Sequence, residues 1–156
     1  MPSRVNALLI NFAVEIDGVR IHDIISCSGF TLGEEGQIEV PEDDRIASIA
    51  DGRRKIPALS MKYRLLKHST AEGGTHKYFT DWWEGREGDN RTITVIWLER
   101  DRKTEIMRWT YVDCEFSGFK GEYQDYGSPK VGVIEVTFLP YDVTHSIASA
   151  GQIYTN

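Results

Sequence analysis

The side chains best equipped for chemistry are few and scattered. Histidine occurs four times, at His22, His68, His76 and His145. No two of them stand at i, i+4 on an expected helix, and no expected strand carries two at alternate positions, so no pair shares a face as a metal site needs. The cysteines, Cys27 and Cys114, form no CxxC pair and have no histidine at ligand spacing, which reads as two half-buried thiols. There is no GxSxG segment and no thiol beside a histidine that would activate it. "EGGT" and "GREGDN" hold glycines, yet neither follows the strand–loop–helix order that cradles a phosphate. The acids Glu42, Asp43 and Asp44 lack the spacing and central glycine of a calcium loop. The expectation is therefore no enzyme, no cofactor and no metal.

The aromatic residues offer another chemistry. Trp82, Trp83, Trp97 and Trp109 could form the stacking platform of a glycan-binding β-sandwich, which is the alternative of a different class. All four also sit on expected elements beside apolar residues, where they would fill a core.

What must position these residues is mostly strand. "NFAVEIDGVRI" alternates apolar and polar residues and turns at Asp17-Gly18, the strongest local hairpin signal because both turn positions need positive φ. "LSMKYRLL" sets Leu59, Met61, Tyr63 and Leu65 on one face. "RTITVIWLER" and "EIMRWTYVDCEF" flank the turn-like "DRKT" as a second hairpin, with Thr92 and Thr94 expected outward. "KVGVIEVTFLPYDV" is a strand that should stop at Pro140. One helix is expected: Tyr78, Phe79, Trp82 and Trp83 fall at i, i+1, i+4 and i+5 as one aromatic stripe. Thr75 is expected to cap its start and Gly85 or Gly88 to end it. The fold class is mainly β, a barrel or sandwich of two packed antiparallel sheets with one short helix. That helix should plug an open end or cover a sheet edge. "HSIASAGQIYTN", residues 145–156, reads as a tail that needs a partner to be ordered.

The totals agree with a single domain over residues 1–156. The chain has 156 residues, 40% hydrophobic and 27% charged, ordinary for a folded globular domain. No apolar run reaches the roughly 18 residues of a membrane-spanning helix, and "MPSRVNALLINF" lacks the cleavage site of a secretory leader. Net charge is −6, the wrong sign for a protein that grips nucleic acid.

One stretch fits no element. "PEDDRIASIADGRRKIP" lies between the strand-like "QIEV" and "LSMKYRLL", with acids at one end and bases at the other. The order of pieces around it carries a resemblance. "FAVEIDGV", "CSGF", the long charged excursion and "IPAL" are followed by "YFTDWWEG", "RTITVIWL", "RWTYVDCEF" and "IEVTFLPYDV". Over about residues 11–143 this order resembles the tail tube proteins of contractile-tailed bacteriophages. The type VI secretion tube protein shares that fold and is the close alternative, as is a contractile injection system. "IPAL" departs from the pattern with Ala58 where glycine is expected.

The resemblance implies a self-assembling structural subunit. Homohexameric rings would stack into a tube inside a sheath, with baseplate and tail terminator proteins at its ends. DNA would pass through the lumen without specific binding, since an acidic wall offers phosphates few cations. The place would be the virion tail, assembled in the host cytoplasm, with no membrane partner. Stacking needs head-to-tail contacts, and residues 38–57 are expected to supply them as an arm into the next ring. Glu42, Asp43 and Asp44, with Arg45 beside them, and Arg53, Arg54 and Lys55 would pair in trans, with Ile46 and Ile49 as apolar anchors. Cys27 and Cys114, if exposed at a boundary, would form inter-subunit disulfides in oxidising surroundings.

Overall fold

The computed structural model describes residues 11–30, 56–121 and 132–154. Its elements are β1 (Asn11–Ile16), β2 (Val19–Ile21), β3 (Ile24–Ser28), β4 (Leu59–Leu65), α1 (Thr75–Glu84), β5 (Arg91–Leu98), β6 (Glu105–Gly121), β7 (Gly132–Leu139) and β8 (Asp142–Ile147). A short 3₁₀ turn, Lys67–Thr70, precedes the helix. The mainly-β class is as expected from the alternation.

The β1–β2 hairpin turns at Asp17 and Gly18, with φ of 49° and 82°. Asp17 also ties that turn to β5. It accepts a bond from the Thr92 amide on its carboxylate and donates its own amide to the Thr92 carbonyl, both at 2.9 Å. All pairings are antiparallel, and the path β2-β1-β5-β6-β7-β4-β3 is open at both ends.

β6 organises the molecule. Its first half pairs with β5 on one side and β8 on the other, while its second half pairs with β7. β7 stops before Pro140, which has no amide to give a ladder. Tyr141 then resumes the pairing by donating to the Val112 carbonyl at 2.9 Å. β7 and β8 thus form one interrupted strand along β6, from Gly121 opposite Ile134 to Met107 opposite Ile147. A bulge between Phe116 and Gly118 lets β6 cross from one half-sheet to the other. The sequence reading ended this strand at Phe116; it runs on to Gly121.

The core lies between the two halves. Val14, Ile16, Ile93, Val95 and Tyr111 come from one, and Leu59, Met61, Tyr63, Val136 and Phe138 from the other. The aromatic stripe of α1 closes it: Trp82 stacks on Phe138 at 5.0 Å and Phe79 on Tyr63 at 5.3 Å, both against Phe116. The helix therefore lies against inward side chains of β4, β6 and β7. Its N-cap is Gly74 and not Thr75. Thr75 sits inside the first turn and donates its hydroxyl to the His22 carbonyl at 2.6 Å, which fixes the helix start to the end of β2. Gly85 ends the helix as expected.

The C-terminal stretch is not a free tail. Residues 142–147 are β8, Ile153 bridges Thr104, and Tyr154 is buried. Its partner is the chain itself.

Candidate assembly surface

The residues expected to make inter-ring contacts, Glu42, Asp43, Asp44, Arg45, Ile46, Ile49, Arg53, Arg54 and Lys55, lie outside the described residues. Both roots of that stretch are described. At the exit of β3, Gly29 has φ of 109°, and a Cβ there would sit 2.3 Å from the Ala58 carbonyl oxygen. The two ends thus touch backbone to backbone, which only glycine permits. Tyr111 donates its hydroxyl to the Gly29 carbonyl at 3.1 Å, and burial pushes that phenol's pKa up. Phe30 then packs on Trp97 and Trp109, with ring centroids 5.2 and 5.4 Å apart.

The cysteines point inward. Cys114 is fully buried and donates its thiol to the Tyr111 carbonyl; Cys27 is half-buried against the same core. Desolvation pushes both thiols up to about 12, with backbone hydrogen bonds acting the other way, so neither is a thiolate at neutral pH. Both are free thiols in the subunit, and the expected inter-subunit disulfide is a question for the assembly.

The tryptophans serve the core. Trp82 is fully buried and Trp109 nearly so, while Trp83 and Trp97 pack against the same cluster. Trp82 donates to the Asp89 carbonyl at 2.7 Å, and Arg86 lies 3.8 Å over the Trp83 ring. The glycan platform is not formed by these four. Among the histidines, His76 accepts or donates at 2.8 Å with the Tyr63 hydroxyl, and His68 meets Asp23 at 3.0 Å. Among the described residues no three His, Cys, Asp or Glu side chains gather as a metal site would require. An open depression of about 220 Å³ lies between β2 and the start of α1. Its lining includes Arg20, Glu72, Lys77 and Asp81, with Lys77 and Asp81 paired at 2.8 Å.

The surfaces that remain are the outward faces of the two half-sheets. On the β2-β1-β5-β6-β8 half, one cross-strand row reads Arg20, Glu15, Thr94, Thr110, Thr144. Thr94 faces outward as expected. Ile96, two residues on, shares that face yet is fully buried with Ala13, Leu98 and Tyr154. Sequence reasoning missed this second cluster. The C-terminal segment makes it: Tyr154 donates to Glu15 at 2.6 Å under the Arg20 guanidinium, and Gln152 donates to Glu105 at 2.6 Å. Glu105, its side chain 1% exposed, also accepts both arms of Arg108. Outward apolar residues Ile96 and Leu98 in an alternating strand were the available signal.

On the β3-β4-β7-β6 half, the outward rows differ. One reads Ser26, Lys62, Glu135, Lys120 and the next Ser28, Ser60, Thr137, Gly118. None of these eight is buried.

No family model and no curated protein matches the chain. Solved structures do. A chain of the sheath–tube complex of an extracellular contractile injection system, PVC, in its extended state aligns with TM-score 0.65 at 15% identity, over 88% of this chain and 89% of that one. The anti-feeding prophage tube-terminating cap gives 0.63 at 15%, over 88% of both chains. Hcp1 from Salmonella typhimurium gives 0.61 at 9%, over 93% and 91%. At such identities what is shared is the fold, and this chain is folded as the chains of these contractile injection assemblies and of Hcp1 are.

Proposed function

We propose that the protein is a structural subunit of the inner tube of a contractile apparatus. The observation that carries this is the fold likeness across nearly nine-tenths of both partners in each comparison. A shared fold does not by itself give a shared role. Here the readings converge, because the sequence offers no chemical constellation and its order of motifs resembles a tube protein. On this reading hexameric rings stack into a tube, a sheath surrounds it, and baseplate and terminator proteins close its ends. The charged stretch at residues 38–57 reaches the neighbouring ring. Electron microscopy of the concentrated protein tests this directly: rings or tubes are expected, and isolated monomers at every concentration would end the reading.

Within that class, an injection system stands beside the phage tail that the sequence resembles, since chains of PVC and of the anti-feeding prophage share this fold. The phage reading has DNA crossing the lumen and a virion as the location. Nuclease-protected DNA in purified particles would support the phage reading, and DNA-free particles the injection reading.

A further inference from the structure

We infer that one end of the core is a seat for the chain's own N-terminal segment, residues 5–10, which crosses it in cis and gives a backbone carbonyl to the Trp109 indole. The seat lies within one subunit and does not depend on the tube.

The two ends of the core are finished differently. Where β5 starts, α1 closes it, and the Arg91 guanidinium lies 4.8 Å from the Trp82 ring. Where β5 finishes, one cross-strand row reads Phe12, Trp97, Met107, Ile147. Each of the first three stands two residues along its strand from Val14, Val95 or Trp109, so the row shares their inward face. Phe30 packs on Trp97 with ring centroids 5.2 Å apart. Even so, Phe12, Trp97 and Met107 are only half-buried and Ile147 is 76% exposed.

The same place holds an unsatisfied donor. Trp109 is 8% exposed, and its indole Nε1 is buried with no acceptor among the described residues. A buried donor left so costs free energy, and a buried indole ordinarily finds a partner. An extended segment laid over the row brings both apolar side chains and backbone carbonyls.

Residues 1–10 lie outside the described residues, and they join the fold at this margin. Asn11 opens β1 opposite Leu98, beside Phe12, and its side-chain amide donates to the Glu99 carbonyl at 3.3 Å. Apolar residues Val5, Ala7, Leu8, Leu9 and Ile10 precede it. The row runs across β1, β5, β6 and β8, a span of roughly 14 Å at about 4.8 Å per strand spacing. At ~3.3 Å per residue a five-residue run reaches about 17 Å, enough to cross from Phe12 to Ile147. Tethered at Asn11, the segment is held at an effective concentration on the order of millimolar, ahead of any second copy in dilute solution.

The test combines Ile147→Cys with Val5→Cys, Ala7→Cys, Leu8→Cys or Leu9→Cys, one at a time. All are made in a Cys27→Ser background, and the full chain is oxidised mildly in dilute solution. An intramolecular disulfide, seen as a monomer that has lost both introduced thiols, should form fastest at one or two neighbouring positions. Equal rates at all four would describe a tether with no seat. A disulfide-linked dimer would give the seat to a second copy, and no cross-link at all would put the segment elsewhere. Each of these three results overturns the proposal. A second measurement needs no added thiol. In ¹⁵N-labelled chain, the pair Leu8→Ser and Leu9→Ser should speed solvent exchange of the Trp109 indole proton, identified by its loss in Trp109→Phe. Unchanged exchange overturns the proposal as well.

Discussion

Glu105 is the side chain on which the C-terminal segment hangs. Its carboxylate is buried, and it accepts from Arg108 at 2.6 and 3.2 Å and from Gln152 at 2.6 Å. Hydrogen bonds to a charged group contribute about 1.5–3 kcal/mol, so Glu105→Ala should lower stability by about 2 kcal/mol. Arg108 is 38% exposed and can be rehydrated, which keeps the loss from being larger. Urea denaturation would show the drop, and an unchanged midpoint would contradict it. His76 supplies a pH dependence. Burial lowers its pKa from 6.5, and it lies near the N-terminus of α1, where a positive charge is unfavourable. The folded state therefore binds fewer protons than the unfolded chain. Stability is fully present above the unfolded pKa and falls as pH drops below it. Urea midpoints should thus decrease from neutral pH to about pH 5, and His76→Gln should flatten that slope. A slope that His76→Gln leaves intact would assign the effect elsewhere.

At the scale of elements, α1 and the roots of the charged stretch decide most. Trp82→Ala opens a cavity between α1 and Phe138 and leaves the Asp89 carbonyl without its donor, a loss of about 3–5 kcal/mol. Gly29→Ala drives a methyl into the Ala58 carbonyl at a φ that side chains avoid. Such backbone conflicts cost about 1–3 kcal/mol, and it should also weaken assembly by shifting the close approach of Gly29 to Ala58. Thermal melting and sedimentation of the variant check both. Much of this was legible from local pattern. The Asp17-Gly18 turn, the helix and the stop at Pro140 each follow from constraints within a few residues. The Thr75 cap was misread because its hydroxyl is taken by His22, 53 residues away. β6 was cut short at Phe116, where the chain carries a bulge within the strand and runs on to Gly121. The C-terminal segment was least legible. Its closing contact, Tyr154 to Glu15, joins residues 139 apart, beyond any local periodicity.

For the whole molecule, the tests concern assembly. Deleting residues 43–53 should leave folded monomers or single rings that do not stack; full-length tubes from that variant would remove the stretch from the inter-ring contact. The packed, protonated thiols, Cys114 buried and Cys27 half-buried, lead to a second outcome. Assembled particles on a non-reducing gel should run as monomer, and a dimer band would mean that Cys27 or Cys114 leaves the packing seen here. The hydrophobic periodicity gave the two-faced strands but not which face would be left bare, because burial of Ile96 depends on the far end of the chain.

The 17-residue strand β6 has a mechanical consequence. β7 and β8 lie antiparallel to it along nearly its full length, so the two half-sheets share one backbone ladder. A pull along the strand axis loads those rungs in shear, many at once, whereas a pull across them would open one at a time. A subunit thrust lengthwise along that axis would transmit the force through its stiffest direction.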